Sequence, residues 1–258
     1  MQLPLPSPSA RFLTTLAFSG FALCQANAAT VLYSTNFDSP TYSDGGLIGQ
    51  DGWVITGTSV VSPVSVANTA TNGNVTLVTT GQDVRHALSS NVTEGSVWLS
   101  ATITVGSAST GDYFLHLGDN GTSNFFARTY VQASGGGFVL ALSTSSGSPV
   151  TYGTTVLSLN TAYTLLIRYD FVAGAGNDTG AIFINPTTID GTGDTAYVAA
   201  TTTGTDATSI AAVSLRQGTT GSAPGGVVLD NVSVFVPEPS VAFLGSLGML
   251  ALLRRRRA

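Results

Sequence analysis

The sequence predicts an all-β protein, built as an antiparallel two-sheet sandwich or a barrel. Its long central region is rich in glycine, threonine, serine, valine and alanine, a composition that suits short strands joined by turns. Apolar runs recur along it at roughly the 8–12-residue spacing of all-β domains. Helical periodicity is missing, except for one possible turn near Asp206 to Ile210. The fold class therefore rests on composition, spacing and the lack of amphipathic helices.

The strongest strand is predicted at residues 163–171, and the cleanest period-two alternation lies at residues 97–105. Every second residue there is apolar: Val97, Leu99, Ala101, Ile103 and Val105. This alternation predicts a strand with one face in a core and the other, which carries Trp98, turned outward. Further strands are predicted at 31–37, 53–56, 60–66, 74–79, 84–88, 113–117, 125–131, 138–142, 181–185, 210–215 and 227–235. Glycine-rich turns at 118–121 and 135–137 indicate an antiparallel meander.

Residues 1–28 have the pattern of a secretory signal peptide. Arg11 is their only charge, residues 12–23 form a short apolar run, and Ala26-Asn27-Ala28 is a cleavage site that places the mature N-terminus at Ala29. The alternative is a buried N-terminal helix. The only cysteine of the chain, Cys24, lies inside this segment, so the mature protein would form no disulfide.

The region that remains, residues 29–235, is long enough for one domain with its own core. It is acidic: four arginines and no lysine face thirteen carboxylates, for a net charge of −9. Such a surface repels phosphate backbones, which excludes nucleic acid as the expected partner.

Catalytic residues are scarce in this region. Its only glutamate, Glu94, lies in a turn-like stretch, whereas glycoside hydrolysis requires a pair of carboxylates across the scissile bond. Its only histidines are His86 and His116, too few for zinc, and His116 alternates with apolar neighbours like an ordinary strand residue. The sequence therefore predicts a protein that is not an enzyme.

Residues 160–186, NTAYTLLIRYDFVAGAGNDTGAIFINP, join a long strand, a polar loop and a second strand. Together with Asn36-Phe37-Asp38 near the start and Leu229-Asp230-Asn231-Val232 near the end, they resemble the concanavalin-like or laminin-G-like jelly rolls. The resemblance implies a jelly-roll β-sandwich over residues 29–235, flanked by a signal helix and a short apolar C-terminal helix. It also implies that the first and last strands lie side by side.

Residues 236–258 resemble the PEP-CTERM sorting signal. Pro237-Glu238-Pro239 precedes an apolar run at 240–253, which ends at Arg254, Arg255, Arg256 and Arg257. The resemblance implies export through the Sec pathway, a pause in the inner membrane with the arginines as the cytoplasmic stop, and cleavage by an exosortase-type transpeptidase. The protein would then reach the cell surface or the extracellular matrix.

The apolar run is short for a permanent membrane helix. It would extend about 21 Å at about 1.5 Å per residue, against a hydrocarbon core of about 30 Å. This favours a transient stop, and the alternative is a lasting single-span anchor.

Calcium is the one cofactor for which candidate ligands can be named. Asp38 follows the first strand and Asp230 lies in the last, so the two carboxylates would meet if these strands pair, with Asn36 beside them. The resemblance implies a structural ion, as in related sandwich lectins. The alternative is that Asp38 caps a turn and Asp230 faces solvent. A second, weaker candidate combines Asn177, Asp178, Asp190 and Asp194.

Carbohydrate binding, with an exopolysaccharide as the partner, is the leading functional hypothesis because exposed aromatics on a sandwich are common sugar-binding elements. The candidate surface aromatics are Tyr42, Trp98, Tyr130 and Tyr152. Two alternatives stay open: a structural surface protein without a small ligand, and a glycan-active enzyme.

Overall fold

The computed structural model describes residues 29–59, 61–218 and 221–237. Within them all regular structure is β, and no helix has the length and apolar character needed to cross a membrane. The strands are β1 (Ala29–Thr35), β2 (Gly45–Gly46), β3 (Val54–Thr56), β4 (Ser65–Ala67), β5 (Asn74–Leu77), β6 (Asp83–Val92), β7 (Ser96–Ser107), β8 (Asp112–Gly118), β9 (Phe125–Ser134), β10 (Gly137–Ser145), β11 (Thr151–Tyr152), β12 (Ala162–Asp170), β13 (Thr179–Ile184), β14 (Val198–Thr201), β15 (Ile210–Leu215) and β16 (Gly225–Pro237). The two predicted terminal helices lie outside the described residues. The helical turn expected near Asp206 is wrong, because residues 206–209 form a loop before β15.

The strands form two antiparallel sheets, which confirms the predicted two-sheet sandwich. Sheet A has the order β14-β13-β12-β7-β16-β5-β4-β2, and β1 also pairs with β16. Sheet B has the order β11-β10-β9-β8-β15-β6-β3. Non-consecutive neighbours such as β7 and β16 show that the chain crosses repeatedly between the sheets.

The last strand, β16, lies inside sheet A and is bonded on both sides. One side pairs with β7. On the other side β1 pairs with the second half of β16, with Thr35 opposite Val232, and β5 pairs with the first half, with Val75 opposite Leu229. The first and last strands therefore lie side by side, as the jelly-roll resemblance implied.

The core lies between the sheets and confirms the alternation at 97–105. Val97, Leu99, Ala101, Ile103 and Val105 are all fully buried. They belong to one cluster with sheet B residues such as Phe114, Phe138, Leu140 and Val213. Burying such a side chain contributes about 1.5–3 kcal/mol, so this layer supplies much of the driving force for folding.

Trp98 is not a surface aromatic, contrary to the expectation. It lies on the outer face of sheet A but is only 4% exposed, in a small cluster with Leu166, Phe183 and Phe235. Phe235 is its cross-strand neighbour on β16, and the Arg168 guanidinium lies 5.5 Å from its ring. Neighbours on both adjacent strands cover the ring, which the alternation alone does not reveal.

Tyr42 is also interior, 2% exposed, and belongs to a hydrogen-bonded aromatic cluster. The indole Nε1–H of the fully buried Trp53 donates to the hydroxyls of Tyr33, at 3.0 Å, and Tyr42, at 3.2 Å. The Tyr42 hydroxyl in turn donates to the Asp51 carboxylate at 2.7 Å. Buried Trp and Tyr need such polar partners, so Tyr42 serves the core rather than a ligand.

Candidate functional site

The outer face of sheet B, the side turned away from the core, carries a row of tyrosines. Tyr113 on β8 pairs with Tyr130 on β9, which pairs with Ala141 on β10, which pairs with Tyr152 on β11. Side chains directly opposite in a sheet point to the same face. We call Tyr113, Tyr130 and Tyr152 the tyrosine row.

The turn between β9 and β10 sets part of this register. Gly135 and Gly136 both have positive φ, 53° and 80°, as a two-residue type I′ hairpin requires. This hairpin places Tyr130 opposite Ala141, and the β8–β9 pairing places Tyr113 opposite Tyr130. The sequence analysis named Tyr130 and Tyr152 but missed Tyr113, because the β8–β9 ladder contains two register shifts that symmetric counting from the turn does not reveal.

The rings of the tyrosine row differ in exposure. Tyr152 is 42% exposed and Tyr113 is half-buried, whereas Tyr130, contrary to the expectation of a surface aromatic, is buried at 9% exposure. The ring centroids of Tyr113 and Tyr130 lie 5.4 Å apart. Burial raises the pKa of both hydroxyls. The two tyrosines therefore stay protonated and can donate as well as accept hydrogen bonds.

Arg128 lies among these rings. Its Cζ is 5.4 Å from the Tyr113 ring centroid and 5.7 Å from that of Tyr130. Its Nη2 donates to Ser143 Oγ at 2.9 Å and to the Ser145 carbonyl at 2.7 Å. Its Nε is buried and makes no hydrogen bond within the described chain. Arg128 was not among the predicted site residues.

Arg216, on the other side of Tyr113, is neutralised. Its Cζ lies 4.2 Å from the Tyr113 ring, and it forms ion pairs with Asp112 at 2.7 Å and Asp83 at 3.8 Å. Burial lowers the pKa of Arg216, but the hydrogen bond and charge of Asp112 outweigh it, so the net shift is upward. Its charge is thus balanced by the protein itself.

His116 is a buried strand residue, as expected. It is 2% exposed, its ring centroid lies 4.4 Å from that of Phe125, and its Nδ1–H donates to the Leu117 carbonyl at 3.0 Å. Burial lowers its pKa to about 4, and the charges of Arg216 and Arg128 add to the effect. The ring is neutral at pH 7 and is a weak proton acceptor there.

A cavity of about 240 Å³ adjoins this face at the loops that follow β8, β10 and β14. Its lining includes Phe125, which contacts His116, and Ser145, which binds Arg128. Its polar lining includes Asp119 and Asp206. The cavity extends the outer face of sheet B toward one end.

Asp206 holds the loop between β12 and β13. Its carboxylate accepts hydrogen bonds from three consecutive backbone N–H groups, those of Gly176, Asn177 and Asp178, at 2.5–3.1 Å. Asp178 is itself buried and accepts from the Tyr169 hydroxyl at 2.6 Å and from the backbone of Val172 at 2.7 Å. These carboxylates fix loop geometry.

Of the predicted calcium ligands, Asn36 and Asp38 are hydrogen-bonded to each other, and the charge of Asp38 acts on Asp230. Asp230 lies on β16 in the gap between its pairings with β1 and β5. Burial raises its pKa, and the negative charge of Asp38 raises it further. Asp38 accepts hydrogen bonds from Asn36 Nδ2 at 2.6 Å and from the backbone of Gly73 at 2.7 Å.

The oxygens of this cluster are of the kind that calcium prefers, but they already accept local hydrogen bonds: those of Asp38 from Asn36 and Gly73, and those of Asp230 from the backbone and side chain of Asn231. Two carboxylates repel each other there, and the described ion pairs bring no arginine to either. Within the described ranges, however, no group of three or more acidic, histidine or cysteine side chains is placed for a metal. Calcium would thus depend on amide and backbone oxygens as well.

The weaker calcium candidate is not supported by the contacts of its carboxylates. Asp178 is buried in its own loop, as described above. Asp190 accepts from the backbone of Thr192, whereas Asp194 binds the backbone and hydroxyl of Thr187. Each carboxylate is used to close a local turn.

Two of the predicted processing residues are described, and they are neighbours. Ala29, the expected first residue of the mature chain, pairs with Pro237, the first residue of the sorting motif. Ala26, Ala28, Glu238, Pro239 and Arg254 to Arg257 lie outside the described residues.

Comparison with known proteins gives likenesses of structure only. No family model and no curated protein matches this sequence. A carbohydrate-binding CBM2 module of the evolved Dit protein of Lactobacillus casei BL23 phage J-1 matches with a TM-score of 0.50 at 12% identity, over 83% of this chain and 98% of that one.

Two enzymes match with lower scores. An alginate lyase mutant in complex with an alginate trisaccharide has a TM-score of 0.49 at 13% identity, over 78% of this chain and 96% of that one. An endo-1,3-β-glucanase from Streptomyces sioyaensis has a TM-score of 0.47 at 14% identity, over 82% and 97%. At such identities the likeness concerns the fold alone. The chain is an all-β, antiparallel jelly-roll sandwich.

Proposed function

We propose that this chain is an exported, non-catalytic surface or matrix protein that binds carbohydrate through the outer face of sheet B. The tyrosine row carries the proposal. Tyrosine rings offer apolar faces for sugar rings to stack on, and their hydroxyls can hydrogen-bond sugar hydroxyls. The carbohydrate-binding module that shares the fold supports this choice.

The proposed role is non-catalytic, because the titratable side chains described on this face are poorly suited to proton transfer or nucleophilic attack. His116 has no nucleophile or orienting carboxylate among its described contacts, and its pKa is too low for an effective base. The nearby Asp83 and Asp112 are held by Arg216. A structural surface protein without a sugar ligand remains the alternative, and a glycan-active enzyme is the second.

A glycan array and affinity electrophoresis in polysaccharide gels test the binding. We expect the mature protein to be retarded by at least one polysaccharide, and Tyr152→Ala to weaken that retardation about tenfold. Ile189→Ala is the control, because Ile189 is also an exposed apolar residue, at 58% against 42% for Tyr152, but lies on the β13–β14 loop. Absence of any retardation removes the proposal in favour of a structural role, whereas shortened polysaccharide products would indicate an enzyme.

We also propose that the chain is exported through the Sec pathway and sorted by an exosortase-type transpeptidase. The order of Pro237-Glu238-Pro239, the apolar run and the four arginines supports this. Prolines keep the backbone extended and free of helix, which suits a segment that a protease must grip. Intact-mass analysis of protein recovered from its host should show loss of the residues after this motif. A C-terminus at Arg257-Ala258 would contradict it.

Structural calcium at Asn36, Asp38 and Asp230 completes the proposal. A divalent cation would offset the repulsion between the two carboxylates and tie the end of β1 to β16. Its role would be stability of the strand junction rather than sugar binding, since the cluster belongs to sheet A.

A further inference from the structure

We infer that the carbohydrate is acidic, a uronate-containing polysaccharide whose carboxylate pairs with Arg128. This inference rests on the proposed function and specifies its ligand class. Its basis is the environment of Arg128, which differs from that of every other arginine between residues 29 and 237.

Arg128 is a half-buried cation without an anionic partner in the described chain. Arg168 pairs with Asp170 at 2.8 Å, and Arg216 with Asp112 and Asp83. Arg85 also lacks a carboxylate, but it binds the Asn120 side chain through its Nε and the Ile55 carbonyl through Nη1. Arg128 and Arg168 both leave a buried Nε without a hydrogen bond, but Arg168 Nε lies 2.8 Å from the Asp170 carboxylate, whereas no carboxylate of the described chain pairs with Arg128.

Such an arrangement is costly unless something compensates it. Burial of an unpaired charge is unfavourable, and a buried donor without an acceptor costs about 1–3 kcal/mol. In a region where thirteen carboxylates accompany four arginines, the lack of an internal partner is unexpected on composition alone. An external carboxylate does not reach this buried Nε, but it would supply the missing charge at Nη1, which has no hydrogen bond in the described chain and is not among its buried unpaired atoms.

The aromatic rings around Arg128 favour a sugar acid over a small inorganic anion. The Tyr113 and Tyr130 rings flank the guanidinium at 5.4 and 5.7 Å. The tyrosine row crosses three inter-strand spacings, roughly 14 Å at about 4.8 Å each. A uronate offers both elements that this surface can use: a ring face to stack on tyrosine and a carboxylate for Arg128.

The net charge of the chain argues against polymers that carry more than about one negative charge per sugar. A body of charge −9 repels polyanions at long range, although salt screens this beyond about 8 Å at physiological ionic strength. One arginine accommodates one carboxylate at a time. We therefore expect a preference for uronates over highly sulfated chains.

The test compares alginate and polygalacturonate with their methyl esters, which keep the sugar ring but remove the charge. Affinity electrophoresis of the mature protein should show that at least one acid form binds about tenfold more tightly than its ester. Arg128→Gln should abolish this preference. Arg168→Gln is the control and should retain it, because Arg168 lies on sheet A and is already paired.

The possible results distinguish a failure of the uronate inference from a failure of the proposed carbohydrate binding. Equal binding of acid and ester by the wild-type protein, or a preference that survives in Arg128→Gln, overturns the inference but leaves carbohydrate binding intact. Failure to bind any polysaccharide overturns both. The wild-type comparison needs no variant, so it tests the preference for an acidic ligand even if Arg128→Gln does not fold.

Discussion

Ala29 and Pro237 are directly opposite each other at the end of the ladder between β1 and β16. The two residues are 208 positions apart in sequence. One is the predicted start of the mature chain and the other begins the predicted sorting motif. Both predicted processing sites therefore adjoin a single end of one folded sheet.

This pairing sharpens the prediction for the N-terminus. We expect mature protein recovered from its host to begin at Ala29, since cleavage there leaves all seven residues of β1 available for pairing. N-terminal mass analysis measures this directly. A start beyond Val31 would remove the outermost pairs with Val236 and Pro237 and would contradict the assigned cleavage site.

Replacement of Trp53 should show how much the buried aromatic cluster contributes. Trp53→Phe removes the Nε1–H that two tyrosine hydroxyls accept, and we expect the free energy of unfolding to fall by about 2–4 kcal/mol, because packing and hydrogen bonding are both lost. Urea denaturation measures this change in the free energy of unfolding. Trp98→Phe is the control, since its Nε1 has no hydrogen-bond partner in the described chain; an equal loss there would contradict the role of the hydrogen bonds.

Asp206→Ala should loosen the loop between β12 and β13. Three backbone N–H groups lose their acceptor. A hydrogen bond to a charged group contributes about 1.5–3 kcal/mol to stability. We expect a loss of stability of about 2–3 kcal/mol and faster amide exchange at residues 176–178. Asp119→Ala, which frees one exposed backbone N–H at Gly121, should have a smaller effect, and unchanged exchange in Asp206→Ala would disprove the role.

Acidification should destabilise the protein through His116. Its pKa is about 4 in the fold against an ordinary 6.5, so the unfolded chain binds the proton more readily. The neutral His116 ring is compatible with the fold above pH 6.5. As the pH falls from 6.5 to about 4, the free energy of unfolding decreases by roughly 3 kcal/mol in total.

The difference between wild type and His116→Asn isolates this effect. Burial raises the pKa of Asp83 and Asp230, so these carboxyls favour the fold on acidification and act in the opposite direction in both proteins. Urea midpoints between pH 7 and 4 should fall more steeply for the wild type than for the variant. Parallel curves would contradict the assignment.

Calcium should raise the melting temperature, and chelation should lower it. Binding to the native state alone adds stability with rising ion concentration. Asp230→Asn should abolish the difference between calcium and chelator, because it removes one of two carboxylates. Asp190→Asn, on another loop, should keep it. A melting temperature that does not respond to calcium in the wild type would remove the metal proposal.

The sequence pattern predicted the long strands well because their apolar residues alternate over many positions. Residues 210–215 were predicted with the observed limits, and 97–105 lies within the longer β7. The short strands β2, β11 and β14 were missed. Gly45–Gly46 and Thr151–Tyr152 have only two residues each, so tertiary pairing rather than local sequence makes them strands.

The candidate site was only partly predictable for a related reason. Tyr152 was correctly named as exposed, whereas Tyr42, Trp98 and Tyr130 proved buried. Exposure of an aromatic depends on what lies across the neighbouring strands, and a single strand does not contain that information. Arg128 was missed because its distinctive property is the absence of a partner, which only the folded arrangement of all arginines reveals.

The interior position of β16 has a mechanical consequence. A pull applied at Pro237 acts along the axis of a thirteen-residue strand that is hydrogen-bonded on one side to β7 and on the other to β1 and β5. Both ladders are then loaded in shear, so many bonds share the force at once instead of opening one by one. A domain held by this end would resist drag from a polymer bound to its opposite sheet.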